Sequence, residues 1–381
     1  MKFNVKKEEM QEKLSNIQNI IEKKNTMPIL SHFLLSAGKN GSYIVATDIE
    51  TALKEPIDIN VEKEGKICIP AKKLHEIVRE IDNDLSFEMI DEQWLNVKAG
   101  SSEFRLATLP HIDFPSWPAV FEGEDIEEVL ITPELLLELI EKTLYAAGEN
   151  DTRYTLNGLL FHIKPDEKNL SIVGTDGHRL AFIQKQVDDD KLSIKVKEEK
   201  RLIIPRKAVS ELRRFLSIPE DQDETLKVKI SLGAKHILFN IINNIDFLSR
   251  LVDGTYPNYD NVIPKENEKR LIVKRDIFIK VLRRVSIMSR ERASAVRFDI
   301  DSDKMYVSSS SPDIGEAKED MEVEYNGEKM TLGFNAKYLL DVANAMTTEK
   351  ILLELQDPLS PVLLKEEGSE DYKCVVMPMR I

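Results

Sequence analysis

The residues best suited to chemistry form one short stretch, Gly174-Thr175-Asp176-Gly177-His178-Arg179. An aspartate two residues before a histidine can act as an acid–base pair or supply two metal ligands. However, none of the six histidines is spaced from another as the ligands of a helical or hairpin metal site are. The chain also has no P-loop, nucleophile elbow or dinucleotide fingerprint. The sequence therefore favours a non-catalytic protein without a cofactor or metal, and catalysis by Asp176 and His178 is one alternative.

The elements that position this stretch are two predicted β-strands, Leu159–Ile163 and Leu170–Val173, which are joined by a polar turn. Gly174 and Gly177 allow the chain to turn sharply after the second strand. The same pattern of two strands and a small polar turn occurs twice more in the chain. The other copies are Phe33–Ser36 with Tyr43–Ala46 before Thr47-Asp48, and Val296–Ile300 with Met305–Val307 before Ser310-Ser311.

Helices and hairpins recur in the same order around these strand pairs, which indicates a threefold internal repeat. Apolar spacing predicts six helices, two in each repeat: Glu8–Lys24, Ala71–Ile81, Pro133–Ala147, Arg206–Leu216, Arg275–Arg292 and Asn335–Met346. Each repeat ends in a predicted β-hairpin: Trp94–Leu109, Ile237–Val252 and Val362–Met377. We therefore predict an α+β protein of three similar domains, 1–124, 128–264 and 268–381, each with two helices packed on β-sheets.

Composition limits where the protein works. No apolar run approaches the ~20 residues of a membrane helix, and the N-terminal residues lack an apolar signal core. The two cysteines, Cys68 and Cys374, are far apart and match no metal-binding spacing, which is typical of free thiols in a reducing compartment. We therefore expect a cytoplasmic protein that does not bind membranes.

Charge is distributed unevenly along the chain. The net charge of −14 taken alone argues against binding to nucleic acid. The six predicted helices nevertheless carry a net positive charge, and the most basic are Arg206–Leu216 and Arg275–Arg292. Such segregation predicts that the helices form a surface to which a polyanion can bind, whereas the acidic remainder of the protein repels it. A repeat scaffold that binds only proteins is the second alternative; the acidic total supports it and the basic helices oppose it.

Motifs spread over the whole chain are similar to those of the bacterial DNA sliding clamps, the beta subunits of DNA polymerase III. They are Met1-Lys-Phe-Asn-Val5, Thr26-Met-Pro-Ile-Leu30, Thr47-Asp48-Ile49-Glu50, Thr108-Leu-Pro110 with Asp113-Phe-Pro115, Arg153-Tyr-Thr-Leu-Asn-Gly158, Thr175-Asp-Gly-His-Arg-Leu180, Leu251-Val-Asp-Gly254 with Tyr256-Pro257, and Val375-Val-Met-Pro-Met-Arg-Ile381. The resemblance implies a ring-shaped head-to-tail homodimer that encircles double-stranded DNA without reading its sequence. Its other implied partners are the replicative DNA polymerase alpha subunit, an ATP-dependent clamp loader and further proteins that carry a clamp-binding motif.

The resemblance also assigns roles to individual residues. Those implied to face DNA are Lys24, Lys72, Arg79, Arg153, Tyr154, Arg206 and Lys207. Those implied to form an apolar cleft for partner peptides, between the second and third domains, are Leu156, Thr175, Gly177, His178, Arg179, Leu180, Pro257, Val262, Tyr338, Pro361, Val375, Val376, Met377, Pro378, Met379 and Arg380. Those implied to form the dimer interface are Lys73, Phe104, Leu106, Ile287, Met288, Asp313, Glu316 and Glu319.

Overall fold

The computed structural model describes residues 1–21, 27–91, 93–117, 126–188, 190–217, 226–289 and 294–380. Within them the chain forms two compact units. Unit 1 comprises Met1–Pro133, Asp190–Lys195 and Arg214–Leu251, and unit 2 comprises Glu134–Asp189, Val196–Arg213 and Val252–Ile381.

Short antiparallel strands are the commonest regular element of the described structure. The strands of the first half are β1 (Lys2–Val5), β2 (His32–Ala37), β3 (Tyr43–Thr47), β4 (Thr51–Pro56), β5 (Asn60–Lys63), β6 (Gly65–Pro70), β7 (Leu85–Met89), β8 (Trp94–Ala99), β9 (Ser102–Ala107), β10 (Glu127–Ile131), β11 (Gly158–Lys164), β12 (Asn169–Thr175), β13 (Arg179–Gln186) and β14 (Leu192–Lys195). The others are β15 (Lys200–Pro205), β16 (Val228–Leu232), β17 (His236–Ile241), β18 (Ile245–Arg250), β19 (Lys269–Lys274), β20 (Ala295–Ile300), β21 (Lys304–Ser311), β22 (Gly315–Glu322), β23 (Glu324–Tyr325), β24 (Met330–Asn335), β25 (Lys350–Leu355), β26 (Val362–Glu366) and β27 (Tyr372–Val376). The predicted strand pairs and closing hairpins are confirmed.

The predicted helices are present in the described residues, but three of them end several residues before their predicted ends. They are α1 (Lys7–Ile17), α2 (Ala71–Glu80), α3 (Pro133–Glu141), α4 (Arg206–Leu216), α5 (Arg275–Val285) and α6 (Ala336–Ala345). After α3, the Thr143 hydroxyl donates to the Leu139 carbonyl at 2.7 Å, so this side chain bonds to a backbone acceptor of the helix. After α5, the Ser289 hydroxyl likewise donates to the Ser286 carbonyl at 2.7 Å. Because α1 ends at Ile17, the prediction of a helix to Lys24 is wrong for residues 18–21, and residues 22–24 lie outside the described chain.

Each unit contains two sheets, and the larger sheet has nine strands in both. In unit 1 the strand orders are β5-β1-β7-β8-β9 and β14-β10-β16-β17-β18-β4-β3-β2-β6. In unit 2 they are β15-β11-β12-β13-β27-β26-β25-β19-β23 and β22-β21-β20-β24. The nine-stranded sheets join strands from neighbouring repeats: β18 pairs with β4, and β13 pairs with β27. This pairing across the repeats explains why three repeats cluster into two units.

Apolar side chains from the strands and helices fill the interior of each unit. In unit 1, Phe3 stacks on Phe87 with ring centroids 4.7 Å apart, and α1 packs against α2. In unit 2, α5 packs against α6 and the rings of Phe278, Phe298 and Phe334 are in contact. Among the helices of the described chain, none is both long enough and apolar enough to cross a bilayer.

A few buried carboxylates interrupt this apolar interior, and Glu55 is the most deeply buried of them in the described chain. Glu55, on β4, is fully buried in unit 1, with Lys13 Nζ at 3.4 Å and Asn16 Nδ2 at 3.1 Å from its Oε2. Its Oε1 has no hydrogen-bond partner among the described atoms. Burial raises the pKa of the Glu55 carboxyl to about 7, although Lys13 and Asn16 oppose the shift. Compared with the unfolded chain, the folded protein therefore favours the neutral form of the Glu55 carboxyl.

We expect Glu55→Gln to remove a pH-dependent part of the stability. Because the Glu55 pKa is higher in the folded than in the unfolded chain, wild-type stability from this group is greatest in acid and is lost as pH rises from 4.5 to about 7. Relative to wild type, the variant should gain about 3 kcal/mol of unfolding free energy between pH 4 and pH 8. Urea unfolding over this range measures the difference. Glu8→Gln, on the exposed side of α1, is the matched control; an equal trend in both variants would contradict the role of Glu55.

Candidate binding cleft and its surroundings

The turn between β12 and β13 is held by its own polar side chains. The Thr175 hydroxyl donates to the Arg179 carbonyl at 2.6 Å and accepts the Gly177 N–H at 3.1 Å. Asp176 Oδ1 accepts the backbone N–H groups of His178 and Arg179 at 2.9 and 3.0 Å. Gly177 has a φ of 84°, a conformation that favours glycine. Asp176 therefore stabilises the turn instead of forming an acid–base pair with the His178 ring.

Beside this turn lies a cleft of about 160 Å³ within unit 2. Its walls contain predicted cleft residues from four separate stretches of the sequence: Leu156, Thr175, Gly177, His178, Arg179, Leu180, Pro257, Val262, Val375 and Met377. Leu180 and Val375 are opposite each other in the β13–β27 pair, so the joined sheet forms the apolar floor. Val262 and Met377 are partly exposed at the mouth. Such a surface suits apolar side chains of an extended peptide.

Arg179 connects the cleft to the helices of unit 2. Its guanidinium group pairs with Asp176 at 3.0 Å and with Asp341 of α6 at 2.6 Å, and it donates to the Tyr145 carbonyl at 2.7 Å. The group lies 4.5 Å from the centroid of the Tyr338 ring, a cation–π contact. The Tyr338 ring also stacks on His178, with centroids 6.4 Å apart. Tyr338 therefore adjoins the cleft through its contacts with Arg179 and His178.

The remaining predicted cleft residues support the walls or flank them. Val376 is fully buried in β27, and the Met379 N–H donates to the Gly333 carbonyl at 2.8 Å. The Met377 N–H donates to the His178 carbonyl at 2.9 Å, which ties the C-terminal segment to the turn. Pro361 lines a neighbouring hollow that shares Val262. Pro378 is partly buried and Arg380 is exposed.

Two further residues line the cleft that sequence analysis did not assign to it, Arg153 and Tyr259. The Arg153 guanidinium pairs with Asp151 at 2.9 Å and donates to the Asp176 carbonyl at 3.0 Å. This hydrogen bonding lowers the pKa of the Asp151 carboxyl to about 2. Tyr259 follows Pro257 by two residues, so the motif Tyr256-Pro257-Asn258-Tyr259 was a signal that could have found it.

The residues predicted to face DNA lie in different environments. Lys72 and Arg79 are exposed on α2, and Tyr154 and Lys207 are also exposed. Arg206 is partly buried, because its guanidinium donates to the carbonyls of Leu144 and Ala147 at 2.7 Å each. Lys24 lies outside the described residues, and Arg153 is at the cleft as described above.

The residues predicted to form the dimer interface cluster near two strands at sheet edges. Phe104 and Leu106 are on β9, which ends the five-stranded sheet of unit 1, and Lys73 is on α2 with its amine 2.7 Å from Glu76. In unit 2, Glu316 and Glu319 are on β22, the edge of the four-stranded sheet, and Asp313 is exposed just before it. Ile287 is 69% exposed and Met288 is next to it, after α5. Glu319 also pairs with Arg284 Nε at 2.9 Å.

Three repeats with paired helices, sheets continuous between repeats and an apolar cleft define a three-domain clamp fold. Family models agree with this class over nearly the whole chain. The N-terminal, central and C-terminal domains of the DNA polymerase III beta subunit match residues 1–118, 130–258 and 260–380. The chain belongs to the DNA polymerase III beta subunit family.

Individual relatives match from end to end. The beta sliding clamp of Pseudomonas putida is 36% identical over 385 residues, with all of both chains covered. A crystal structure of the Pseudomonas aeruginosa DNA polymerase III subunit beta is 33% identical with a TM-score of 0.90. A Bartonella birtlesii sliding clamp bound to griselimycin is 34% identical with a TM-score of 0.92; both structures cover all of this chain and are themselves fully covered.

Proposed function

We propose that this protein is a processivity factor of bacterial DNA replication, acting as a ring that slides on duplex DNA. The match of three clamp domains, in order and along nearly the whole chain, carries the proposal. The domains are 1–124, 128–264 and 268–381. The protein is non-catalytic and works in the cytoplasm without a cofactor.

The ring forms when two copies associate head to tail. Two free sheet edges, β9 in unit 1 and β22 in unit 2, support this arrangement. An edge strand is a ready template for pairing with another chain, and a heterologous contact that closes gives a ring instead of a filament. The apolar side chains of Phe104, Leu106, Ile287 and Met288 form the centre of this contact. Lys73, Asp313, Glu316 and Glu319 form its polar rim.

The basic helices of the ring contact the phosphates of the DNA that it encircles. Lys24, Lys72, Arg79, Arg153, Tyr154, Arg206 and Lys207 are the proposed contact residues, and the exposure of Lys72, Arg79 and Lys207 supports their part in it. Contacts to phosphates carry no sequence information, so binding is independent of sequence. Weak contacts allow sliding, because dissociation is prevented by the closed ring and not by affinity.

The apolar cleft holds linear peptides of partner proteins. The partners are the replicative polymerase alpha subunit, the ATP-dependent clamp loader and other proteins with a clamp-binding motif. A polymerase held in the cleft stays near its template because tethering raises its effective concentration. Griselimycin is bound to the Bartonella birtlesii clamp, and we propose that it binds the apolar cleft of this protein and serves as a probe of it.

The ring predicts a dependence on DNA topology. Protein assembled on closed circular duplex DNA should stay bound through gel filtration and should leave when a restriction enzyme linearises the circle. The retained fraction on circles should far exceed that on linear DNA, because only the circle has no end from which a ring can slide off. Equal loss from both forms would reject the ring and would favour the alternative of a scaffold that binds proteins alone.

A further inference from the structure

Two short hydrogen bonds connect an exposed glutamate to the wall of the cleft. His162, on β11, is 1% exposed. Its Nε2 lies 2.6 Å from Oε1 of Glu199, and its Nδ1 lies 2.6 Å from the hydroxyl oxygen of Tyr259. Glu199 directly precedes β15, which pairs with β11, and its side chain is 57% exposed. This chain of Glu199, His162 and Tyr259, here called the relay, reaches from the surface to the cleft.

The chemistry of the three groups determines where the hydrogens of the relay lie. The hydrogen bond from His162 lowers the pKa of Glu199, so this group is a carboxylate that only accepts. The hydrogen of the neutral ring is therefore on Nε2, and Nδ1 accepts the Tyr259 hydroxyl. Burial lowers the pKa of His162, which favours this neutral ring at neutral pH.

Tyr259 is connected by ring contacts and hydrogen bonds to a second part of the cleft wall. Its ring stacks on Phe182 with centroids 5.4 Å apart and meets the His162 ring edge-on at 5.8 Å. Its carbonyl accepts the N–H groups of Val262 and Ile263 at 3.0 and 3.3 Å. Because both Tyr259 and Val262 line the cleft, a shift of the tyrosine moves two of its walls together.

We propose that His162 is a positioning residue of the cleft, holding Tyr259, and through it Val262, in the conformation that accepts apolar peptides. The proposal rests on the peptide-binding function proposed above. A protonated His162 carries a hydrogen on Nδ1, which then points at the hydroxyl oxygen that formerly donated to it. The hydroxyl hydrogen must turn away and find another acceptor in a buried place, so Tyr259 loses its orientation. Peptide affinity therefore falls as pH decreases through the pKa of His162.

Other charges near the relay set the pH at which this happens. Arg201, whose guanidinium lies 5.6 Å from the Tyr259 ring centroid, and Lys164 disfavour protonation of His162, whereas the Glu199 carboxylate favours it. The charged groups that face the relay are Lys164, Glu167, Glu199, Arg201 and Asp260. Removing the charge of Glu199 should therefore lower the pKa of His162 further.

The test compares griselimycin binding by the full-length protein between pH 5 and pH 8, using calorimetry. We expect wild-type affinity to fall about fivefold toward acid, as for the loss of one hydrogen bond. In Glu199→Gln the midpoint of the decline should move to lower pH. Glu198→Gln removes a neighbouring exposed charge and should leave the midpoint where wild type has it. His178 also lines the cleft, but it is the same in all of these proteins, so its contribution cancels in the comparison.

Tyr259→Phe tests the other end of the relay, since it keeps the ring and deletes only the hydroxyl. Its affinity at pH 8 should be about fivefold below wild type, and its decline toward acid should be smaller. If wild type binds griselimycin but Glu199→Gln and Glu198→Gln share one midpoint, the relay is rejected and the proposed function stands. If wild type does not bind griselimycin at any pH, the cleft assignment and the relay are rejected together.

Discussion

Replacing Arg179 by alanine should abolish measurable peptide binding and destabilise the protein by about 3 kcal/mol. The change leaves Asp176 and Asp341 without their buried cation and removes the donor to the Tyr145 carbonyl. Removing one partner of a buried ion pair lowers the free energy of unfolding by about 3–5 kcal/mol. We expect the lower end of this range because the Asp341 side chain is 29% exposed. The turn that carries Gly177 and His178 then loses its anchor to α6.

Griselimycin binding and urea unfolding of the same preparation measure the two effects. Arg179→Lys is the matched variant, because lysine keeps the charge but loses the planar fork that reaches Asp176 and Asp341 together. Its loss of stability and affinity should lie between wild type and Arg179→Ala. Full peptide affinity in the alanine variant would show that Arg179 does not shape the cleft.

Replacing Ile287 by aspartate should convert the ring to monomers and thereby abolish retention on circular DNA. Ile287 is highly exposed in the single chain, so the substitution should leave the fold intact. In the proposed interface the aspartate is taken out of water without a partner, which we expect to weaken association by at least about a hundredfold. The effect is large because a head-to-tail ring of two copies contains the substitution in both of its interfaces.

Sedimentation at several protein concentrations measures the dissociation, and the circular-DNA experiment measures its consequence. Ile112→Asp is the control, because Ile112 is 81% exposed and is not among the interface residues. Griselimycin binding should be unchanged in Ile287→Asp, since its cleft lies within one chain. If the Ile287→Asp protein is still a dimer, Ile287 does not belong to the interface.

Much of the site could be predicted from the sequence, because the hydrogen bonds of its turn join residues that are close together in the chain. The side chains of Thr175 and Asp176 bond to backbone groups at most four residues away, so their types and spacing indicate the turn. Arg153 and Tyr259 were not assigned to the cleft, because they reach it through contacts with distant segments. His162 and Glu199 are 37 positions apart and show no shared motif, and their bond depends on the pairing of β11 with β15.

The sequence by itself determined the threefold repeat, the α+β class and the family, because these depend on periodicities and motifs that recur along the chain. The structure, and not the apolar spacing of the sequence, decided where the helices α3 and α5 end. It also decided that Glu55, which is in a strand whose sequence shows no unusual feature, is buried beside Lys13. Burial and long-range pairing depend on which strands become neighbours in a sheet, and a linear pattern of residue types does not contain that information.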